Sequence, residues 1–460
     1  MANLINATRG YNSVTNNGAV THSTSLSYCL DMFFLAGASR SITESHIIKL
    51  FELAYGENPE LAVKILFWAR DVRGGAGERR FFQVIMKHLH ATYPDVADQL
   101  AIHIPEYGYW KDVLATEKPN RNNLDWLSRK LVEEKDGLLA KWFPRKGPWF
   151  VAMHRYLDIT PKELRTMLVN LTKVVETQMC AKQWSSINYS HVPSLAMNRY
   201  RNAFIKHDGA RMAVYIQDVL DGKTKINASA IFPHQLYQAA KKMDNMDAIL
   251  AQWNALPDYM ADSTERILPV CDVSGSMQGL PMDVSVSLGL YISERNRGIF
   301  KDAFITFSEK PEMNYLRGTF SQRMRQLERA EWGYSTNLEA VFQLILDKAV
   351  QHQLPETEMP TKILIISDME FNEASRGETN LDAIRREYAL KGYKLPQIVF
   401  WNVNGRMGNV PAQTHDMGVG LVSGFSPSIL KSILKGDVYT PQQLMWDTVM
   451  TDRYKRIRID

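Results

Sequence analysis

The fold of this chain is decided by the stretch RILPVCDVSGS, residues 266–276. Its first half is a short run rich in apolar residues, which is typical of a buried parallel strand. Its second half is a polar loop that contains Asp272, Ser274 and Ser276. Alternate side chains of an extended loop point the same way, so these three are expected to face one point. The stretch therefore predicts a buried strand that ends in a polar site.

Four further apolar runs follow this stretch, and amphipathic segments with helical spacing lie between them. The runs are DAFITFS (302–308), TKILIISD (361–368), LPQIVFWNV (395–403) and GVGLVS (418–423). The helical segments are PMDVSVSLGLYISERN (281–296), NLEAVFQLILDKAVQH (337–352) and NLDAIRREYALKG (380–392). Because strands and helices alternate, residues 263–460 are predicted to form a doubly wound parallel sheet with helices on both faces.

The first part of the chain has helical spacing only. Large apolar residues recur at three- and four-residue intervals in SLSYCLDMFFLAG (25–37), TESHIIKLFELAYG (43–56), PELAVKILFWARDVRG (59–74) and ERRFFQVIMKHLHATYP (78–94). Successive helices with short connections predict stacked antiparallel pairs, an α-solenoid. No clean repeat period is present, so an irregular helical domain is the alternative. The predicted organisation is a polar segment 1–25, a helical domain 26–262 and an α/β domain 263–460, which makes the fold class α plus α/β.

Composition narrows the class of protein. With 460 residues, 45% hydrophobic and 23% charged, the chain is expected to be globular and to hold two or three domains. Its three cysteines, Cys29, Cys180 and Cys271, lie far apart, which argues against a disulfide framework and against a cysteine-based zinc site. This usage predicts a reducing cytoplasm, or the host cytoplasm if the protein is virus-encoded. The polar N-terminus and the short first apolar run predict no signal peptide and no membrane span.

A set of five oxygen-bearing residues is predicted to bind a divalent metal ion. Asp368 ends a second apolar run, and Thr336 precedes a helix between the two runs. At the carboxyl edge of the sheet they would join Asp272, Ser274 and Ser276. Carboxylates and hydroxyls suit Mg²⁺ or Mn²⁺ better than zinc. Two carboxylates neutralise such an ion, which can still accept an acidic group from a protein partner.

Catalytic alternatives fit the sequence less well. A dehalogenase-type phosphatase needs an aspartate where this chain has Ser274. The chain contains no phosphate-binding P-loop, no H-E-x-x-H and no G-x-S-x-G pattern. GGAGER (74–79) follows a helical pattern rather than a strand, so it is not a dinucleotide fingerprint. The chain is therefore predicted not to be an enzyme, and its metal is predicted to serve recognition.

Basic residues cluster with glycines or aromatic residues in the helical part, as phosphate contact and base stacking require. The candidate RNA-binding residues are Arg70, Arg73, Arg79 and Arg80 around the glycines of residues 74–77, Trp110 with Lys111, Arg145 with Lys146, and Arg199, Arg201, Lys206 and His207. The glycine loop is expected to offer free backbone N–H groups to phosphate. The alternative is a tight helix–helix turn with its arginines paired to Asp71 and Glu78. For the other clusters the alternative is a core aromatic residue beside a solvated charge.

Two parts of the chain resemble known families. The five metal-site residues match, in order, the metal-ion-dependent adhesion site of von Willebrand A domains, whose doubly wound fold is Rossmann-like. The helical part resembles the TROVE module of Ro ribonucleoprotein-like proteins, above all a viral, bacterial and plant branch. The resembling segments are ARDVRGGAGERRFF (69–82), YGYWKDVL (107–114), FPRKGPW (143–149) and residues 159–204.

The TROVE resemblance implies HEAT-like helix pairs in a ring that binds RNA. Two functions remain open. In the first, the protein is an RNA-binding ribonucleoprotein component whose metal domain recruits a partner. In the second, it is a protein-interaction scaffold that uses the magnesium-dependent adhesion site without RNA. Salt-sensitive RNA binding would favour the first function, because phosphate contacts release counterions.

Overall fold

The computed structural model describes residues 12–116, 118–242, 245–307, 310–329, 336–374, 379–434 and 439–459. These residues form two compact units. Unit 1 comprises the described parts of Met1–Phe81, Ile231–Asp244 and Leu256–Arg456. Unit 2 comprises the described parts of Phe82–Ala230, Asn245–Ala255 and Ile457–Asp460.

The described strands all belong to unit 1. They are β1 (Ser13–Val14), β2 (Val20–Thr21), β3 (Ile267–Cys271), β4 (Ala303–Thr306), β5 (Met313–Tyr315), β6 (Lys362–Ser367), β7 (Gln397–Asn402) and β8 (Val419–Ser423). The helices, in chain order, are α1 (Tyr28–Ala36), α2 (Glu44–Glu57), α3 (Pro59–Arg70), α4 (Arg80–Thr92), α5 (Pro94–Ala101), α6 (Ile104–Tyr107), α7 (Trp110–Thr116), α8 (Arg121–Val132), α9 (Gly137–Trp142), α10 (Pro148–Tyr156), α11 (Pro161–Leu171), α12 (Val175–Cys180), α13 (Ser194–Leu220), α14 (Pro233–Ala240), α15 (Met246–Asn254), α16 (Leu280–Arg295), α17 (Phe320–Arg329), α18 (Leu338–His352), α19 (Asn380–Lys391), α20 (Leu430–Ile433) and α21 (Pro441–Val449).

Unit 1 is built around a sheet with the strand order β5-β4-β3-β6-β7-β8. Neighbouring strands are parallel, except that the edge strand β5 runs antiparallel to β4. Every residue of β3, β4, β6 and β8 is buried, as expected for strands covered on both faces. From β3 the chain moves to β4 and β5, and then returns past β3 to β6. This reversal makes the carboxyl ends of β3 and β6 a topological switch point, the place where doubly wound sheets typically bind ligands.

The N-terminal helix α1 packs on this sheet. Eight of its nine residues are buried. The Ser423 hydroxyl of β8 donates to the carbonyl of Phe33 at 2.8 Å and accepts from the backbone N–H of Gly37 at 3.0 Å. A Cβ atom at Gly37 would lie 2.4 Å from the Ser423 carbonyl oxygen, so glycine is needed at this close approach. The described residues up to Phe81 thus belong to the same compact unit as the sheet, and the domain boundary at residue 262 stays a prediction.

The secondary structure among the described residues of unit 2 consists of helices joined by turns and loops. Its apolar core includes Tyr189, Phe204 and Met212. The long helix α13 is kinked at Asp208, where φ is −148° and ψ is 40°. The Tyr189 hydroxyl donates to the Asp208 carboxylate at 2.7 Å, and Arg211 Nε donates to it at 2.8 Å, so the kink is tied to its surroundings. The predicted fold class, α plus α/β, is confirmed, while the solenoid arrangement of these helices remains a prediction.

The described helices include none with both the length and the apolar character that a membrane crossing needs.

Candidate metal centre

The two predicted carboxylate ligands follow neighbouring strands. Asp272 comes directly after β3 and Asp368 directly after β6, and the two strands pair as far as Cys271 and Ile366. The backbone N–H of Asp272 donates to the carbonyl of Ile366 at 2.9 Å, which extends this pairing by one residue. The relative exposures of Asp272 and Asp368 are 0% and 1%. Two buried carboxylates are thus brought to one edge of the sheet, as their sequence positions predict.

The loop after β3 and the last residue of β6 each donate a hydrogen bond to the carboxylate of Asp272. One carboxylate oxygen, Oδ1, accepts from the backbone N–H of Ser274 at 2.9 Å. The other, Oδ2, accepts from the hydroxyl of Ser367 at 2.5 Å. The Ser274 and Ser276 hydroxyls lie 3.1 Å apart, which agrees with the expected alternation. Ser276 is exposed, so solvent reaches the group at this residue.

Two buried oxygens in this region make no hydrogen bond with the described residues. They are Oδ2 of Asp368 and Oγ1 of Thr336. The other oxygen of Asp368 accepts from the backbone N–H of Glu370 at 3.2 Å. Thr336 is tied to the same loop, because its N–H donates to Asn372 Oδ1 at 3.3 Å and its carbonyl accepts from the Asn372 N–H at 3.0 Å. Buried oxygens without a donor are costly, and a cation would satisfy both.

The electrostatics agree with a site suited to a cation. Burial raises the pKa of Asp272, against the hydrogen bonds from Ser367 and Ser274. Burial and the nearby charge of Asp272 raise the pKa of Asp368 to about 6, while Ser276, the Glu370 N–H and Arg406 oppose this shift. Each carboxylate is thus harder to ionise because of its surroundings, and a divalent cation would reverse this effect.

Sequence reasoning missed Arg406, a basic residue beside the second carboxylate. Its guanidinium nitrogens lie 3.8 Å from Asp368 Oδ2 and 3.5 Å from Glu370 Oε1. Its side chain is 36% exposed. No local pattern points to Arg406, because it follows a different strand, β7. It adds a positive charge next to the proposed ligand set.

The donor set contains only oxygen ligands. Among the described residues no group of three or more His, Cys, Asp or Glu side chains could hold a metal ion. The candidate centre instead combines two carboxylates with three hydroxyls. This composition fits a hard cation such as Mg²⁺ or Mn²⁺.

Three of the predicted RNA-binding residues are buried, and for these the prediction is corrected. The exposures of Arg70, Trp110 and Arg201 are 2%, 6% and 7%. The Trp110 indole N–H donates to Asp136 at 3.0 Å, and Arg201 donates to the carbonyl of Asn198 at 2.6 Å. Side chains that are buried and bonded within the protein are not presented to RNA.

The glycine loop of residues 74–77 is a structural turn after α3. Backbone N–H groups of Gly75 and Ala76 donate to the carbonyls of Asp71 and Trp68, at 3.2 and 3.1 Å. A Cβ atom at Gly75 would lie 1.9 Å from the Trp68 carbonyl oxygen. The expectation of free N–H groups at these two residues is therefore wrong. Arg80 also bonds within the unit, because its side chain donates to the carbonyl of Ile42 at 2.7 Å.

The other predicted RNA-binding side chains reach the surface to different extents. Arg73, Lys111, Lys146, Arg199, Lys206 and His207 are exposed, while Arg79, Arg80 and Arg145 are half-buried. The ring of His207 stacks on Trp184 with 4.5 Å between centroids and 11° between planes. Sequence reasoning did not select Trp184. The structure therefore leaves a basic and aromatic surface at the N-terminal half of α13.

Two family models match different parts of this chain. A family model described as Domain of unknown function (DUF2828) matches residues 15–116 and 150–265, and one described as Domain of unknown function (DUF7788) matches residues 266–456. A protein of Acanthamoeba polyphaga mimivirus, described as uncharacterized, is 30% identical over 94% of this chain and 86% of its own length. The chain belongs to the same family as this viral protein.

The border between the two family models lies close to the boundary predicted at residue 262.

Among solved structures, the chain is similar to the crystal structure of the Ro (RSR) protein of Deinococcus radiodurans. The two are 12% identical with a TM-score of 0.37, and the match covers 93% of this chain and 100% of the other.

Proposed function

We propose that the carboxyl edge of the sheet is a metal-ion-dependent adhesion site of the von Willebrand A type. Asp272, Ser274, Ser276, Thr336 and Asp368 would hold Mg²⁺ or Mn²⁺, directly or through water. The observation that carries this proposal is the pair of buried oxygens without donors, on Asp368 and Thr336, beside a second buried carboxylate. A bound cation would satisfy both oxygens.

The charges favour recognition of an acidic group. Asp272 and Asp368 together neutralise a divalent ion, and the hydroxyl ligands add no charge. The bound ion can still accept one more carboxylate, from a protein partner, which would leave the ion and its three carboxylates with a single net negative charge. Ser276 is exposed, so a partner can approach from this side. In this role the ion orients a ligand, and the protein acts as a binding protein rather than an enzyme.

The test is metal binding by the whole chain, measured by isothermal titration calorimetry with Mg²⁺ and with Mn²⁺. Asp272→Ala should lower the affinity at least 100-fold, because it removes half of the ligand charge. Asp416→Asn is the matched control. Asp416 is not one of the proposed ligands, and its carboxylate lies 2.9 Å from the guanidinium of Arg385. Unchanged affinity in Asp272→Ala would remove this site from consideration.

A second function, RNA binding by unit 2, is supported by the surface of α13. Arg199 and Lys206 are exposed there, and Trp184 and His207 form a stacked pair beside them. Aromatic faces stack on bases, and basic side chains bind phosphate. RNA binding would make the protein a ribonucleoprotein component, whereas its absence would leave a metal-dependent scaffold.

RNA binding is tested by fluorescence anisotropy with a single-stranded RNA at several salt concentrations. Arg199→Gln combined with Lys206→Gln should weaken binding and reduce the log–log salt slope by about 1.4, at about 0.7 per phosphate contact. Arg129→Gln is the control, because this exposed arginine of α8 pairs with Asp125. If the double variant has the same salt slope as the native chain, RNA does not bind at this surface of α13. If the native chain binds no RNA, the scaffold function is favoured.

A further inference from the structure

The N-terminal hairpin, residues 13–21, lies against the loop that carries the second carboxylate. β1 and β2 pair as antiparallel strands, with Ser13 opposite Thr21. The turn between them contains Gly18 in the left-handed region at φ 90°. Gly18 also forms an antiparallel bridge with Asn372. Residues more than 350 positions apart in the sequence are thus neighbours at the carboxyl edge of the sheet.

Three successive residues of the N-terminal hairpin bond to the two residues before Asn372. The Thr15 hydroxyl donates to the carbonyl of Phe371 at 2.7 Å. The backbone N–H of Asn16 donates to Glu370 Oε2 at 2.7 Å. The side-chain amide of Asn17 donates to the carbonyl of Glu370 at 2.6 Å. Each bond restrains a different group of one short loop.

The loop held in this way supports both oxygens that lack a donor. The N–H of Glu370 binds the other oxygen of Asp368 at 3.2 Å, and Asn372 fixes the backbone of Thr336. Between Asp368 and Glu370 stands Met369, a non-glycine residue in the left-handed region at φ 65°. Such a conformation costs about 1–3 kcal/mol and persists only where its surroundings impose it. The N-terminal hairpin provides part of those surroundings.

We propose that Thr15, Asn16 and Asn17 are positioning residues of the metal centre. They act through Glu370, Phe371 and Asn372 to hold Asp368 and Thr336 in the arrangement that binds the ion. The inference rests on the proposed function and adds to it a set of residues from the opposite end of the chain. Partners that orient metal ligands set the affinity for the ion, and their loss weakens binding about 10–100-fold.

The test compares three variants of the full chain by titration with Mn²⁺ alone, at a temperature at which circular dichroism shows each to be folded. Thr15→Val with Asn17→Ala should bind Mn²⁺ about 10-fold more weakly than the native chain. Thr15→Ser keeps the hydroxyl and should bind normally. Ser13→Ala is the matched control. The Ser13 hydroxyl donates to the carbonyl of Gly408 at 2.6 Å, so this substitution removes a hydrogen bond of the same hairpin that does not involve the loop of Glu370 and Phe371.

The outcomes separate the inference from the proposed function. Equal Mn²⁺ affinity in the double variant and the native chain overturns the positioning role and leaves the metal site standing. No binding by the native chain overturns both. If Ser13→Ala lowers the Mn²⁺ affinity as much as the double variant does, the positioning role is also overturned. The affinity would then depend on attachment of the whole hairpin and not on the bonds of Thr15 and Asn17. If the double variant does not fold, Thr15→Val and Asn17→Ala are measured singly with the same expectations.

Discussion

Acid should weaken the proposed binding of a metal ion, with a midpoint that reports on Asp368. A carboxylate must be deprotonated to bind a metal ion, and burial beside Asp272 raises the pKa of Asp368 to about 6. At pH 7 about nine tenths of such a group is ionised, and at pH 5 about one tenth. The affinity for Mg²⁺ at pH 5 should therefore be about tenfold lower than at pH 7.

The same shift predicts how the metal-free protein responds to pH. The folded-state pKa of Asp368 lies above its ordinary value of 3.8, so the folded protein binds this proton more tightly than the unfolded chain. The stabilising contribution is complete below about pH 4 and is lost as the pH rises through about 6, with an upper size of about 3 kcal/mol. A bound cation should offset this loss. Added Mg²⁺ should consequently raise Tm more at pH 7 than at pH 5.

Both expectations can be measured on one protein preparation. Calorimetric titration with Mg²⁺ at pH 5, 6 and 7 gives the affinity, and urea unfolding without metal gives the free energy of unfolding. Asp368→Asn carries no titrating group at this position, so the difference between the native chain and the variant isolates the effect of Asp368. If the native chain binds Mg²⁺ equally well at pH 5 and pH 7, or if this difference does not change with pH, the reasoning is refuted.

Three further predictions concern the site and the fold. Arg406→Gln should raise the Mg²⁺ affinity about fivefold, or about 1 kcal/mol, because it removes a positive charge beside a ligand. Arg406→Lys keeps the charge and should leave the affinity unchanged. Weaker Mg²⁺ binding by Arg406→Gln in calorimetry would contradict this reasoning. Gly37→Ala should lower the free energy of unfolding in urea by about 2 kcal/mol, because its Cβ would meet the backbone of β8, while Gly56→Ala, with nothing within 4 Å, should be neutral or stabilising by up to about 1 kcal/mol. Equal effects would argue against this packing. Residues 263–460 expressed alone should lack a cooperative thermal transition, because α1 no longer covers β8; a sharp transition would support the predicted division at residue 262.

The strand ends were predictable because their signal is local. Apolar runs that stop at Asp272 and Asp368 identify two buried strands, and the parallel topology then brings their ends together. Ser367 and Arg406 were not predictable, since their role depends on which strands become neighbours and on the path of a later loop. The role of the N-terminal hairpin was not predictable for the same reason, because its hydrogen bonds join residues more than 350 positions apart.

Burial explains the errors in the helical part. Arg70 and Arg201 have the same charge as any surface arginine, so their sequence neighbourhood cannot reveal that they are enclosed. A signal was available for α1, because YCLDMFFLA is apolar on nearly every side, and a helix of this kind must be covered all round. The packing of α1 on β8 agrees with this property.

The bond between Gly37 and Ser423 has a consequence for synthesis of the chain. The two residues are 386 positions apart, so at about 5–20 residues per second a ribosome needs about 20–80 s to make the second after the first. During this interval the apolar helix α1 has left the exit tunnel but its covering strand does not yet exist. Unit 2, whose main segment Phe82–Ala230 is made in between, can fold while α1 waits. The nascent protein should therefore depend on chaperones that shield its first segment until translation is almost complete.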